Sequence, residues 1–167
     1  MTGSILQLNT SLGGVPKGPV EQVFVTAEGF AGDIQAHPEV HSGPERAILL
    51  ITSEGIAELA TQEFPVYPGA LGENITTRGI DRRFWRVGQR WRLGQEVIVE
   101  ITKPRGPCKQ LNVFGPGIQK AIFEQLVRDG DPTSPKWGLS GVFATVIQPG
   151  TLRAGDDIRL DESPRSV

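Results

Sequence analysis

The single cysteine of the chain, Cys108, lies in a segment at residues 103–109 that also holds two prolines and three cationic side chains. Nearby positive charge stabilises a thiolate over a thiol, and the thiolate is the form that attacks electrophiles and binds soft metals. The segment therefore predicts thiolate chemistry at Cys108. A buried and inert cysteine is the alternative, because free cysteine is among the most buried residue types and its reactivity depends on exposure.

Both histidines of the chain, His37 and His41, occur in a polar stretch at residues 29–47. Two histidines and one distant cysteine fall short of the three or four protein ligands of a zinc site, and Pro38 makes a continuous helical face for them unlikely. We therefore do not expect zinc. A loop in which Asp33 and His41 cap backbone groups is the alternative reading of this stretch.

Two glycine-rich segments could form loops around a ligand. Lys17 lies in the turn at residues 13–19, where flexible backbone beside a cation can bind a phosphate, although the sequence is neither a Walker loop nor a dinucleotide fingerprint. The segment at residues 69–76 is equally explained by an ordinary turn, in which Glu73 and Asn74 would face solvent. No Gly-x-Ser-x-Gly motif is present, so a serine hydrolase has little support.

Composition restricts the class of protein. A chain of 167 residues suits one domain, for which we expect the bounds 1–167 with a flexible tail at 161–167. The net charge is −2 and no basic tract carries interleaved aromatic residues, so a nucleic-acid polymer is not an expected partner. A lone cysteine excludes an internal disulfide, no apolar run approaches the ~20 residues that cross a bilayer, and the first residues do not resemble a secretory signal. We expect a cytoplasmic protein that does not bind membranes.

Glycine and proline are frequent, which indicates short strands joined by tight turns. Alternation and β-branched residues predict strands at residues 4–8, 20–26, 47–52, 90–93, 97–102, 142–148 and 157–160. A hairpin turn is predicted at 93–96. Helices are predicted from Ser53 to Ala60, with Ser53 as the cap, and from Gly117 through Leu126 to Gly130.

The motifs occur in an order that resembles one family. They are Gly32-Asp33, His41-x-Gly43-x-x-Arg46-Ala47, Gly69-x-x-Gly72-Glu73-Asn74-Ile75-Thr76, Pro104-Arg105-x-Pro107-Cys108, Gly141-Val142-Phe143-Ala144-x-Val146 and Gly155-Asp156. Together they resemble the MOSC domain, the module at the C-terminus of molybdenum cofactor sulfurases. The chain resembles the small stand-alone members of the family. It departs from them at Ser42, where relatives often have glycine.

The resemblance implies a mainly β fold, a β-barrel of the pyruvate-kinase-insert type with two or three short helices. It also implies one of two activities. In the first, Cys108 ligates the molybdenum of a bound molybdopterin cofactor, and the protein reduces N-hydroxylated small molecules with electrons from a separate donor protein. In the second, Cys108 carries sulfur as a persulfide supplied by a cysteine desulfurase. Pyridoxal phosphate is associated with the family's name only, because nothing here resembles the lysine site of the desulfurase.

The resemblance also assigns roles to other side chains. Lys17, Arg46 and Arg105 are expected to bind the anionic cofactor, since arginine makes bidentate contacts with phosphate and lysine supplies a point charge. The remaining cofactor-binding candidates are expected to hydrogen-bond the pterin or to orient the loop, and they are Asn74, Thr76, Asp33 and His41.

Overall fold

The fold is a closed β-barrel with a second layer packed outside it, and the computed structural model describes residues 1–34 and 43–164. Within these ranges the strands are β1 (Thr2–Thr10), β2 (Gly18–Val20), β3 (Gln22–Thr26), β4 (Gly29–Phe30), β5 (Ile48–Thr52), β6 (Ile75–Arg78), β7 (Arg90–Leu93), β8 (Val97–Pro104), β9 (Val142–Gln148), β10 (Gly150–Arg153) and β11 (Asp157–Leu160). The helices are α1 (Ser53–Thr61), α2 (Ile118–Ile122) and α3 (Gln125–Arg128). Three 3-10 helices span Pro44–Arg46, Arg82–Phe84 and Lys109–Phe114.

Seven strands close the barrel in the order β1, β11, β7, β8, β9, β5, β6 and back to β1. Neighbouring strands are antiparallel except β5 and β6, which run parallel. Strand β2 extends the sheet beside β1, and β10, β3 and β4 form a separate three-stranded sheet. The mainly β barrel expected from the resemblance is confirmed, with short helices connecting its strands.

Strand β5 is buried on both faces and divides the hydrophobic interior into two parts. Ile48 and Leu50 point into the barrel, where they join a cluster built from the inward residues of the other strands. Leu49 and Ile51 point outward and join a second cluster with α1, α2 and the 3-10 helix Lys109–Phe114. Because successive side chains of a strand alternate between faces, one apolar strand can serve both clusters. The barrel wall thereby becomes the floor for an outer layer.

Most predicted elements agree with the structure. The bounds of β7, β9 and β11 match, and the predicted hairpin turn joins β7 to β8 with Gly94 at φ 59°. Helix α1 begins where expected, but its cap is Thr52, whose side chain accepts a hydrogen bond from the Gly55 N–H at 3.0 Å. The assignment of Ser53 as the cap was wrong.

The second predicted helix is interrupted. Phe123 has φ −150° and ψ 147°, which ends α2 at Ile122, and a separate short helix, α3, follows. Apolar side chains at helical spacing predicted one continuous segment through Leu126, but Leu126 is 43% exposed and Val127 is buried instead. The extended Phe123 and Glu124 redirect the chain between the two helices. Helix α2 then buries Ile118 and Ile122, and α3 buries Val127.

Candidate functional site

A cavity of about 70 Å³ lies outside the barrel, between its wall and the outer layer. Its lining includes the sulfur-bearing residue Cys108 together with the three cationic residues Lys17, Arg46 and Arg105. Asn74 and the apolar side chains of Val15, Leu49 and Phe143 also line the cavity. The elements that supply these residues are far apart in sequence, so the barrel wall is what brings them together.

Cys108 reaches the cavity because β8 ends beside it. Pro104, the last residue of β8, pairs with Val142 at the start of β9, and the Arg105 N–H then donates to the Gly141 carbonyl at 2.9 Å. The chain leaves the sheet after this bond, and Cys108 precedes the 3-10 helix, with its carbonyl accepting from Leu111 N–H at 3.0 Å. Cys108 is a free, half-buried thiol that packs against the outer cluster and also lines the cavity. It is therefore not the deeply buried cysteine of the alternative reading.

Arg105 is the most buried of the three cations, with 8% of its surface exposed. In the described part of the chain its side chain makes one hydrogen bond, from Nη1 to the Ser140 carbonyl at a long 3.4 Å. Burial lowers the pKa of Arg105 because the guanidinium is removed from water, and negative charge at Cys108 and Glu73 opposes this fall. Arginine remains charged at such sites. Because only one of its donors is hydrogen-bonded among the described residues, the others are available to a guest in the cavity.

Lys17 is paired within the protein. Its Nζ donates to Asp33 Oδ2, and the two side chains are 9% and 6% exposed. Asp33 Oδ2 also accepts from Asn74 Nδ2 at 2.9 Å, and Oδ1 accepts from the Ser11 N–H at 2.9 Å. Asn74 is fixed further because its Oδ1 accepts from the Leu49 N–H at 3.0 Å. The carboxylate of Asp33 therefore neutralises Lys17 and ties three loops together.

Arg46 ends the 3-10 helix Pro44–Arg46 and lines the same cavity. Its guanidinium carbon lies 5.9 Å from the centre of the Phe143 ring, a cation–π distance. Phe143 is an outward residue of β9, so this contact holds Arg46 against the outer face of the barrel wall. His41 and His37 lie outside the described residues.

Thr76 does not line the cavity. It is fully buried in β6, where its Oγ1 donates to Glu73 Oε1 at 2.8 Å and accepts from Asn9 Nδ2 at 3.2 Å. Its hydroxyl is thus engaged within the protein, and its predicted role toward a pterin stays a prediction. The alternative in which Glu73 and Asn74 face solvent is wrong, since they are 0% and 3% exposed.

Two glycines explain how the segment at 69–76 becomes a cavity wall. Gly69 and Gly72 have φ values of 93° and 86°, in the left-handed region that other residues rarely adopt. A Cβ at Gly69 would lie 2.3 Å from the Lys17 carbonyl oxygen, and one at Gly72 would lie 2.6 Å from Val15 Cγ1. The absence of side chains lets this segment pack directly on the turn that carries Lys17.

Sequence reasoning missed Glu73 as a buried carboxyl group. Its Oε1 accepts from the Gly69 N–H at 2.6 Å, while Oε2 has no hydrogen-bond partner among the described residues. Burial raises the pKa of Glu73, and the hydrogen bonds from Gly69 and Thr76 and the charge of Arg105 oppose that rise. The only sequence signal was its place between Gly72 and Asn74 in a motif read as a turn.

No group of three or more histidine, cysteine or acidic side chains is arranged as a metal site in residues 1–34 and 43–164. Within the same ranges, no helix has the length and apolar character needed to cross a bilayer.

Comparisons with known proteins agree with this architecture. Protein YiiM of Escherichia coli is 36% identical over 145 residues, covering 83% of this chain and 59% of YiiM. A Gibberella moniliformis protein named Reductase is 28% identical over 149 residues, covering 85% of this chain but 24% of that protein. The solved structure of YiiM from Geobacillus stearothermophilus superposes with a TM-score of 0.71 at 24% identity, over 96% of this chain and 75% of that one. The chain thus spans about three fifths of the length of the Escherichia coli YiiM.

The MOSC domain description itself matches residues 37–159. This range covers most of the chain and contains Arg46, Asn74, Arg105 and Cys108 of the cavity. Because this match covers more than half of the chain, the chain belongs to the MOSC domain family.

Proposed function

We propose that the chain binds the molybdenum cofactor in this cavity, with Cys108 as the protein ligand of the metal, and reduces N-hydroxylated small molecules. The observation that carries the proposal is that the thiol of Cys108 lines the same cavity as Arg46 and Arg105. The thiolate can bind the metal of the cofactor, and the cationic groups beside it can bind the phosphate of the cofactor.

The charges in the cavity support an anionic guest. Lys17 is neutralised by Asp33, so its charge is already compensated. Arg105 is buried with one long hydrogen bond, and attraction between its guanidinium and an anion is stronger there than in bulk water. Arg105 is therefore the cation that we assign to the phosphate, and Arg46 lines the same cavity.

The other cavity residues position the guest and limit water. Asn74 is held by Leu49 and Asp33, which fixes the direction of its amide for a hydrogen bond to the pterin. Val15, Leu49 and Phe143 form the apolar side. A cofactor held by Cys108 and Arg105 would supply the redox centre for two-electron reduction of the N–O bond, a reaction that also takes up two protons and releases water. We assign electron supply to a separate protein, and we place the chemistry in the cytoplasm because a free thiol suits a reducing compartment.

Metal and pterin analysis of the purified protein tests the proposal. Protein produced in a host that makes the cofactor should carry molybdenum and pterin in amounts equal to the protein, and Cys108→Ser should lose the metal. Arg105→Gln should reduce the bound cofactor, whereas Arg159→Gln, which removes an exposed guanidinium on β11, should retain it. Folded protein that stays free of molybdenum in such a host would contradict the proposal.

The same preparation distinguishes the persulfide alternative. If Cys108 gains the mass of one sulfur atom after incubation with a cysteine desulfurase and cysteine, while no molybdenum is bound, the chain is a sulfur carrier. The half-buried thiol at the cavity would serve either activity, so the metal content decides between them.

A further inference from the structure

Glu73 is a buried carboxyl group to which the proposed function gives no role. It is 0% exposed, and its Oε1 accepts hydrogen bonds from the Gly69 N–H at 2.6 Å and from Thr76 Oγ1 at 2.8 Å. Its Oε2 has no hydrogen-bond partner among the described residues. A buried oxygen without a partner is costly when the group is ionised, because no donor compensates for the lost water.

Glu73 adjoins the cavity through its neighbours. Gly72 and Asn74, on either side of it in the chain, both line the cavity. The charge of Arg105 opposes the rise in the pKa of Glu73, and the charge of Glu73 opposes the fall in the pKa of Arg105, although no hydrogen bond joins them in the described structure. The charge of the guanidinium therefore partly compensates an ionised Glu73, and an anion at Arg105 would compete for that compensation.

We propose that Glu73 takes up a proton when an anion binds beside Arg105, so that the affinity of the cavity for anions falls as pH rises. The inference rests on the proposed function, since it takes the phosphate of the cofactor to be the natural anion. In this proposal Glu73 is a positioning residue, and its protonation changes the net charge of Glu73 and Arg105 together.

The direction of the pH dependence of anion affinity follows from the charges. An added negative charge disfavours the ionised form of a neighbouring carboxyl group and raises its pKa. A group whose pKa is higher in the bound state binds a proton on complex formation, and raising the pH then opposes binding. Burial already raises the pKa of Glu73 in the free protein.

The other charged groups near the cavity are Cys108, Arg46 and the Lys17–Asp33 pair. Asp33 accepts hydrogen bonds on both carboxylate oxygens and is paired with Lys17, whereas Glu73 has donors on Oε1 alone. Cys108 also lines the cavity and carries an ionisable thiol, so the experiment uses a variant without it. Histidine side chains in general titrate between about pH 5 and pH 8, so the experiment also includes a variant without His37 and His41.

Calorimetric titration with inorganic sulfate tests the proposal on cofactor-free Cys108→Ser protein. Sulfate keeps its charge between about pH 6 and pH 9, so it adds no proton of its own. Titrations at each pH in two buffers of different ionisation enthalpy give the number of protons taken up. We expect uptake at Glu73 and an affinity that falls by up to about tenfold per pH unit, the limit for one proton.

Glu73→Gln is the discriminating variant, since glutamine imitates the protonated acid and keeps an acceptor for Gly69 and Thr76. Its sulfate affinity should be independent of pH, with no proton uptake. Glu21→Gln, which removes an exposed carboxylate of the same length, should behave as the parent. Uptake that persists unchanged in Glu73→Gln, or a parent protein that binds sulfate without uptake, would overturn the proposal.

The Arg105→Gln variant separates this inference from the proposed function. If Arg105→Gln leaves sulfate affinity unchanged, or sulfate does not bind at all, the anion site itself is refuted. Sulfate binding that needs Arg105 but takes up no proton refutes only the role of Glu73.

Should Glu73→Gln fail to fold, the double variant His37→Gln/His41→Gln must still take up the proton. Loss of proton uptake in the double variant would assign the uptake to a histidine and overturn the proposal.

Discussion

A methyl group added at Gly69 tests how the cavity wall is built. Gly69 has φ 93°, and a Cβ there would lie 2.3 Å from the Lys17 carbonyl oxygen and 3.2 Å from Asn9 Oδ1. The Lys17 N–H donates to the Gly69 carbonyl at 2.9 Å, so the two segments cannot separate without losing that bond. Gly69→Ala should therefore be destabilising for two independent reasons.

The backbone and the contact contribute separately. Placing an alanine in the left-handed region costs about 1–2 kcal/mol, and forcing an extra methyl group into packed structure costs about 1–3 kcal/mol more. We expect Gly69→Ala to lower the free energy of unfolding by about 2–5 kcal/mol. For a chain of this size, that corresponds to a fall in Tm of about 4–20 °C.

Gly155→Ala is the matched control. Gly155 has φ 92°, almost the same as Gly69, but a Cβ there would meet no atom within 4 Å. It should lose only the backbone contribution of about 1–2 kcal/mol. Denaturant unfolding of both variants measures the difference, which isolates the contact with Lys17. Equal losses in the two variants would refute the account of the close packing between the two loops.

Two further predictions concern elements that support the fold. Thr52→Val removes the hydroxyl that caps α1 at the Gly55 N–H while keeping the side-chain volume, and it should lower the free energy of unfolding by about 1 kcal/mol. Ser53→Ala should change it by less than about 0.5 kcal/mol, and the reverse order in denaturant unfolding would show that the cap is misassigned. The hydrogen bond from the Arg83 side chain lowers the pKa of Asp81 from 3.8 to about 2, so the ionised form contributes stability above pH 3.8 that is lost as pH falls toward 2. Asp81→Asn keeps an acceptor for the Arg83 N–H, so its deficit should be below about 1 kcal/mol at neutral pH. The deficit should shrink as pH falls through about 2, and a deficit undiminished at about pH 1 would contradict the pairing.

The strands that sequence alone could predict are those with alternating or β-branched side chains. Strands β7, β9 and β11 have this pattern, and their predicted bounds match the structure. Strand β6 was missed because Thr76 and Thr77, polar residues that normally face solvent, are both fully buried there. Its position depends on pairing with β1 and β5, which local pattern does not contain.

The site was predictable where chemistry is local and unpredictable where it depends on packing. The segment around Cys108 carries its cations and prolines within a few residues, so its importance could be read directly. The pairing of Lys17 with Asp33 joins two loops and requires the folded structure. Thr76 was assigned to the pterin by the family resemblance, but in the folded structure its hydroxyl donates to Glu73 in the interior. The binding roles of the cavity residues stay predictions.

The central claim is that the thiol of Cys108 and the cations of one cavity hold the same cofactor. X-ray absorption spectroscopy at the molybdenum edge tests it most directly, on protein purified from a host that makes the cofactor. The account predicts bound molybdenum with a protein sulfur ligand, and one sulfur ligand fewer in any metal that Cys108→Ser retains. Folded protein without molybdenum, or a sulfur coordination that Cys108→Ser leaves unchanged, would contradict it.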